Sequence, residues 1–158
     1  MRLEKGLIGS LFGCACLALG CGDEAAPEEP LFPADYAASY VEVRDCRASS
    51  DHDLTRVRVL AAPDTVATYQ GRAQPFAPGA LVLKAEYDYA DTACEGDAES
   101  WTVMRRLAEG SSPETLDWEW QDVNAERRVV STNDSRCIGC HTACGVPPGG
   151  YQGTCTEE

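Results

Sequence analysis

Cys137-Ile138-Gly139-Cys140-His141 constrains this chain more than any other stretch of it. Positions three and four apart share one face of a helix, so a helical turn here sets two thiols and an imidazole against a single ligand. This spacing is the attachment pattern of haem c, with Cys137 and Cys140 as thioethers to the two vinyl groups and His141 as axial iron ligand. The same residues also admit a disulfide, a thioredoxin-like redox pair or half of a zinc site. Adjacent Cys140 and His141 are poorly placed to ligate one zinc together, and no second ligand cluster stands at zinc-like spacing. A redox pair belongs in a βαβ context, which the rest of the sequence does not supply. The expectation is one covalent haem c.

The first twenty residues have the pattern of a bacterial export signal. Arg2 and Lys5 stand before an apolar run, Leu7 to Gly20, that ends in small residues. That run is short for a membrane span, and no other segment approaches one. Leu17-Ala18-Leu19-Gly20-Cys21 resembles a lipobox, although Ala18 stands where such a motif prefers leucine. On that reading 1–20 is a lipoprotein signal peptide and Cys21 carries the lipid that anchors the chain to a membrane; an ordinary cleaved signal is the alternative. Gly22, in place of aspartate, directs a lipoprotein to the outer membrane, hence to its periplasmic face. Residues 21–33, acidic and rich in Ala and Pro, read as a tether, and residues 34–158 as one domain with a single core.

The formal charge of −13 becomes −14 once residues 1–20, which carry Arg2, Glu4 and Lys5, are removed. Such a surface argues against nucleic acid and suits either simple solubility or a basic redox partner.

The nine cysteines divide by compartment. Cys14 and Cys16 leave with the signal, Cys21 takes lipid, and Cys137 and Cys140 take haem. Cys46, Cys94, Cys144 and Cys155 remain, an even number in an oxidising compartment, so two disulfides are expected. Four cysteines allow three pairings; the turn-prone Val146-Pro147-Pro148-Gly149-Gly150 favours Cys144–Cys155, leaving Cys46–Cys94.

Periodicity sketches the domain. Tyr36, Tyr40 and Val43 fall at helical spacing, so a short helix is expected over 34–43, followed by a polar loop from Cys46 to Asp53. Leu54 to Leu60 alternates as a strand, and Asp64 is placed to cap a short helix over 65–69. Ala80 to Tyr89 alternates most clearly, with Leu81, Leu83, Ala85 and Tyr87 on one face and Val82, Lys84 and Glu86 on the other. Trp101 to Leu107 and Leu116 to Gln121 read as further strands, and Glu126 to Ser131 as a hairpin partner through Asn124-Ala125. Consecutive strands with short links imply a β-rich α+β domain, an antiparallel sheet with a few short helices and the haem-attachment helix late in the sequence. An all-helical cytochrome with an early haem motif and a downstream methionine ligand is excluded, because no methionine follows His141.

In Pro75-Phe76-Ala77-Pro78-Gly79-Ala80-Leu81-Val82-Leu83-Lys84-Ala85-Glu86-Tyr87, in Trp101-Thr102-Val103-Met104-Arg105-Arg106, in Trp118-Glu119-Trp120 and in the late Cys137–His141 motif, the chain resembles the cytochrome P-460 / cytochrome c′-beta family. The resemblance covers about Arg56 to His141. It implies a β-rich fold, commonly dimeric, with five-coordinate haem c and an open iron position. Members bind nitric oxide and carbon monoxide, or oxidise hydroxylamine and nitric oxide. In the oxidising members a lysine after the Phe-x-x-Gly turn is cross-linked to the haem, which places that role on Lys84; an exposed strand lysine beside Glu86 is the plainer reading. Glu86 and Glu119 are the candidates for a carboxylate that takes a ligand's proton. Cys144 and Cys155 depart from the family's usual continuation beyond the haem motif.

Competing iron ligands are few. His52 sits in polar Ser50-Asp51-His52-Asp53 and reads as a surface residue. Met104 reads as a core or pocket-wall residue. Phe76 either walls the pocket or packs its turn, Arg105 and Arg106 either meet haem propionates or form a solvated face, and Trp118 and Trp120 belong to the core. The function expected is an exported haem c lipoprotein that binds or oxidises small nitrogen compounds, with Lys84 deciding turnover. A membrane-tethered electron-transfer cytochrome is the alternative.

Overall fold

A computed structural model describes residues 28–50 and 52–155. The expected signal peptide, the expected lipid site Cys21 and the expected tether up to residue 27 lie outside the described residues. Six strands follow one another across a single antiparallel sheet in chain order: β1 (Val41–Ser49), β2 (Thr55–Ala61), β3 (Leu81–Tyr87), β4 (Ser100–Arg106), β5 (Trp118–Asn124) and β6 (Val129–Thr132). Three short helices accompany them, α1 (Tyr36–Ser39), α2 (Val66–Gly71) and α3 (Ser135–Cys144), and a small hairpin of β7 (Gly150–Tyr151) and β8 (Thr154–Cys155) follows α3. The fold is the β-rich α+β arrangement that the alternation implies. Among the described residues no helix is long and apolar enough to cross a membrane.

The N-terminal part of the domain departs from the sequence reading. The helix expected over 34–43 is a single turn, closed by the Tyr40 amide on the Tyr36 carbonyl, and the chain then turns extended. Strand β1 occupies the first half of what reads as a polar loop. A lone turn is marginal in water, whereas pairing with β2 satisfies the backbone of the whole segment. Register shifts between Glu42 and Arg44 and between Arg44 and Arg47 mark bulges in β1, and they break the alternation that would announce a strand. Asp64 does not cap α2; its carboxylate accepts from the Thr65 hydroxyl one residue before the helix.

Both faces of the sheet are covered, so β3 is buried from either side. One face carries Leu83, Ala85, Tyr87, Trp101, Val103 and Val123, and it is closed by Phe32 and by Tyr36. Residues 28–33 lie against this face: the Leu31 amide donates to Gln121 Oε1, and the Arg127 guanidinium sits 4.3 Å over the Phe32 ring. The Cys46–Cys94 disulfide ties β1 to the loop after β3. The opposite face carries Val59, Val82, Met104, Trp118 and Trp120, and against it pack Cys137 and Ile138 of α3. The space between α3 and this second face is where the site forms.

Candidate functional site

Cross-strand register lays two rows of side chains on the second face. Val82 is paired with Met104, and Met104 with Trp120. In the next row Lys84 is paired with Thr102, and Thr102 with Asp122. An apolar row beside a polar row thus forms the floor of a cavity of about 820 Å³, whose roof includes Cys137, Cys140 and His141. That volume lies within the range of about 300–1,000 Å³ usual for cofactor and small-molecule sites. The register brings together side chains up to 38 residues apart in the sequence.

Helix α3 is fixed at both ends. Asp134 caps its start by accepting from the Arg136 amide. Just before it, Asn133 bonds twice to Trp120, through its amide to the Trp120 carbonyl and through Oδ1 to the Trp120 amide. At the other end the Gly145 amide closes on the His141 carbonyl, and the Cys144–Cys155 disulfide clamps the following hairpin to the helix. The hairpin in turn reaches the sheet, where Trp118 Nε1 donates to the Gln152 carbonyl at 2.6 Å.

This frame orients His141. Its Nδ1 lies 2.6 Å from the Gly153 carbonyl oxygen, and its ring lies 4.4 Å from that of Trp120. A carbonyl only accepts, so Nδ1 carries the hydrogen and Nε2 keeps the lone pair. Burial, with the nearby Lys84 charge, pushes the imidazole down to about 4, so it is neutral and able to ligate at pH 7. Burial beside Asp122 and Asp134 pushes the Cys137 thiol up to about 11. Cys137 and Cys140 are both free of disulfides, the first half-buried and the second exposed.

The donor set of this cavity fits a haem. Two free thiols and a neutral, backbone-oriented imidazole lie on one helix, as the attachment chemistry requires. Two buried polar atoms in the cavity-lining residues have no hydrogen-bond partner among the described residues, Trp120 Nε1 and Arg47 Nη1. Such orphans ask for an acceptor, which the carboxylates of a haem supply. No group of three or more His, Cys, Asp or Glu among the described residues is arranged to hold a bare metal ion.

The remaining candidates fall on either side of the cavity wall. Lys84 lines it and is no exposed strand lysine. Its Nζ lies 2.7 Å from His52 Nε2. His52 is not a surface residue either: its Nδ1 lies 3.0 Å from Glu86 Oε1, and the ring lines the cavity. Its polar neighbours hide this in the sequence, and only the turn from β1 into β2 shows it. Glu86 is buried and accepts from Ser100 and Thr102 as well. Burial pushes its carboxyl up, but the bonds from His52, Ser100 and Thr102 outweigh that and hold it below its ordinary value. Glu119 pairs with Arg105, and Arg106 bonds the Leu116 carbonyl and faces Asp117. None of these three lines the cavity; the arginines that do are Arg44, Arg47 and Arg136, the last paired with Asp53, and the sequence reading missed them. Phe76 packs its turn against Trp118 and Tyr151 outside the cavity, while Met104 and Trp120 are pocket wall.

An antiparallel sheet facing a helix that carries two thiols and a neutral histidine over one cavity defines a haem-binding cytochrome of the β-rich kind. The sequence profile of the family described as cytochrome P460 matches residues 33–145, most of the chain, and the chain belongs to that family. A comparison with curated proteins gives no match. The family match ends before Gly153 and Cys155, so the carbonyl that orients His141 comes from a segment beyond it.

Proposed function

We propose that this protein is an exported, lipid-anchored monohaem c protein whose cavity binds small nitrogen compounds such as nitric oxide and hydroxylamine. One observation carries the reading: a single cavity is lined by the Cys137–Cys140–His141 attachment set, by Lys84 of the sheet and by His52, which bonds both Lys84 and Glu86. A pure electron carrier needs an enclosed, saturated iron, whereas polar side chains in a cofactor cavity serve a ligand that hydrogen-bonds. Bound there, the haem supplies an iron that coordinates the small ligand and exchanges electrons with it.

The protein's own residues do the rest. Cys137 and Cys140 hold the macrocycle by thioether bonds, and His141 Nε2 ligates the iron, its basicity set by the Nδ1 bond to Gly153. Arg47, with its buried unpartnered Nη1, binds a propionate. Val82, Met104 and Trp120 exclude water from the floor of the cavity. Cys21 carries the lipid, and the two disulfides of the domain suit the oxidising periplasm.

The test is the optical spectrum of the reduced protein with and without carbon monoxide. Rapid carbon monoxide binding to high-spin ferrous haem is the expected result. A low-spin spectrum unresponsive to carbon monoxide means that Met104, His52 or Lys84 ligates the iron, and the protein is then the tethered electron carrier. Loss of the haem stain on a denaturing gel in C137A/C140A checks the covalent attachment.

A further inference from the structure

The carbonyl that accepts from His141 lies in the tip of the β7–β8 hairpin, and that tip is built against its own turn preference. Tyr151 is paired with Thr154, so Gln152 and Gly153 form a two-residue turn between them. Both are left-handed, with φ +47° and +88°. Such a turn favours asparagine or aspartate followed by glycine, because a short polar side chain tolerates the left-handed region. Gly153 meets that preference and Gln152 does not. The longer side chain at 152 therefore serves something outside the turn.

What it supplies is reach. Gln152 Oε1 accepts from the Phe76 amide at 3.0 Å, in the turn over 75–79 that leads into β3. Phe76 is buried, and a buried amide without an acceptor is costly. An asparagine at 152 would suit the turn better, but it is one methylene shorter.

The backbone of the tip is held as well. Trp118 Nε1 donates to the Gln152 carbonyl at 2.6 Å, and the Gly153 amide donates to the Gly145 carbonyl at 2.8 Å. The peptide unit between Gln152 and Gly153 is thus fixed at both poles, by the sheet on one side and by the end of α3 on the other. The carbonyl that follows it accepts from His141 Nδ1. A grip on Gln152 is therefore a grip on the direction of that bond. The family match ends at residue 145, so the hairpin side of the arrangement lies wholly beyond it.

We propose that Gln152 is a positioning residue for His141: by holding the 75–79 turn, its side chain keeps the Gly153 carbonyl on Nδ1. The hydrogen bond from Nδ1 makes Nε2 more basic, and a more basic axial ligand favours ferric over ferrous iron. The clasp therefore lowers the reduction potential. This rests on His141 ligating a haem in the cavity. A chain that takes up no haem overturns both readings, whereas a loaded chain indifferent to substitution at 152 overturns this one alone.

The experiment compares Q152N and Q152E with the parent as full-length, haem-loaded proteins. The measurements are the reduction potential, the iron–histidine stretch of the ferrous form by resonance Raman, and urea unfolding. Q152N keeps a residue suited to the left-handed turn and loses the reach, so its potential should rise and its stretch should fall in frequency. Q152E keeps both length and an acceptor, and should hold the parent's values. A Q152N protein with the parent's potential and stretch overturns the proposal even if it unfolds earlier in urea, because Gln152 would then serve only the hairpin's stability. A Q152E protein shifted as far as Q152N overturns it too. Q152G removes the strain of the turn along with the acceptor, carries the same expectation as Q152N, and keeps the test open if Q152N does not fold.

Discussion

His141 donates through Nδ1 to the carbonyl of Gly153, and the two residues are joined through the hairpin that the Cys144–Cys155 disulfide closes onto α3. The orientation of His141 therefore depends on a carbonyl twelve residues on, held in place by a covalent clamp. Replacing both cysteines, C144S/C155S, should cost about 2–3 kcal/mol for a loop of this size. It should also lower the iron–histidine stretching frequency of the ferrous protein, because an imidazole without its Nδ1 acceptor is a weaker donor to iron. Urea unfolding and resonance Raman spectra check the two effects. A stability loss without a shifted stretch would show that the hairpin stays seated on its own.

Three glycines near the motif should respond in opposite ways to alanine. A Cβ on Gly145 would lie 2.3 Å from Gly153 Cα and 2.4 Å from the His141 carbonyl oxygen. Gly153 has φ +88°, and its Cβ would lie 2.9 Å from Trp118 Nε1. Gly139, within α3, meets nothing within 4 Å. G145A and G153A should each destabilise by more than about 1 kcal/mol, since backbone must move or strain. G139A should stabilise by about 0.5–1 kcal/mol through helix propensity. Thermal midpoints of the three variants test the contrast, and a G145A protein as stable as the parent would contradict the close approach.

In the haem-free chain the two thiols of the motif should differ in reactivity. Burial near Asp122 and Asp134 puts Cys137 at about 11, so only about one molecule in a thousand is thiolate at pH 8. Cys140 is exposed. Iodoacetamide added to the chain before haem is attached should label Cys140 well ahead of Cys137, with mass mapping of the peptides as the readout. Substituting Asp122 by asparagine should narrow the gap. Equal rates would mean that the α3–sheet packing forms only with haem in place.

Much of this architecture was legible in the sequence, for physical reasons that also explain the misses. Strand β3 announces itself because its two faces meet different surroundings, an apolar layer and a cavity, and alternation survives in Leu83-Lys84-Ala85-Glu86. The Cys144–Cys155 and Cys46–Cys94 pairings followed from turn chemistry and elimination. Strand β1 was illegible because two bulges shift its phase and because Tyr36, Tyr40 and Val43 fall by coincidence at helical spacing. His52 was misplaced for a different reason: local polarity says surface, and only the pairing that sets Lys84 beside β2 brings a cavity to it. Arg47 was overlooked because a strand that cannot be recognised has no face to assign.

The buried Glu86 carboxylate should leave its mark on acid stability. Its folded value is depressed below that of the unfolded chain, burial being outweighed by the bonds from His52, Ser100 and Thr102. A depressed carboxyl contributes stability above its unfolded value, about 4.3, and loses it as pH falls through the folded value. At pH 7, E86Q should be less stable by about 1–3 kcal/mol, because its donors face a weaker, neutral acceptor. The difference should shrink as pH falls below the unfolded value, because protons then bind the unfolded chain ahead of native Glu86. Urea unfolding of the two proteins across pH 3–7 measures the gap at each point. Parallel curves would place Glu86 outside the native hydrogen-bond network and would remove the support that holds His52 against Lys84.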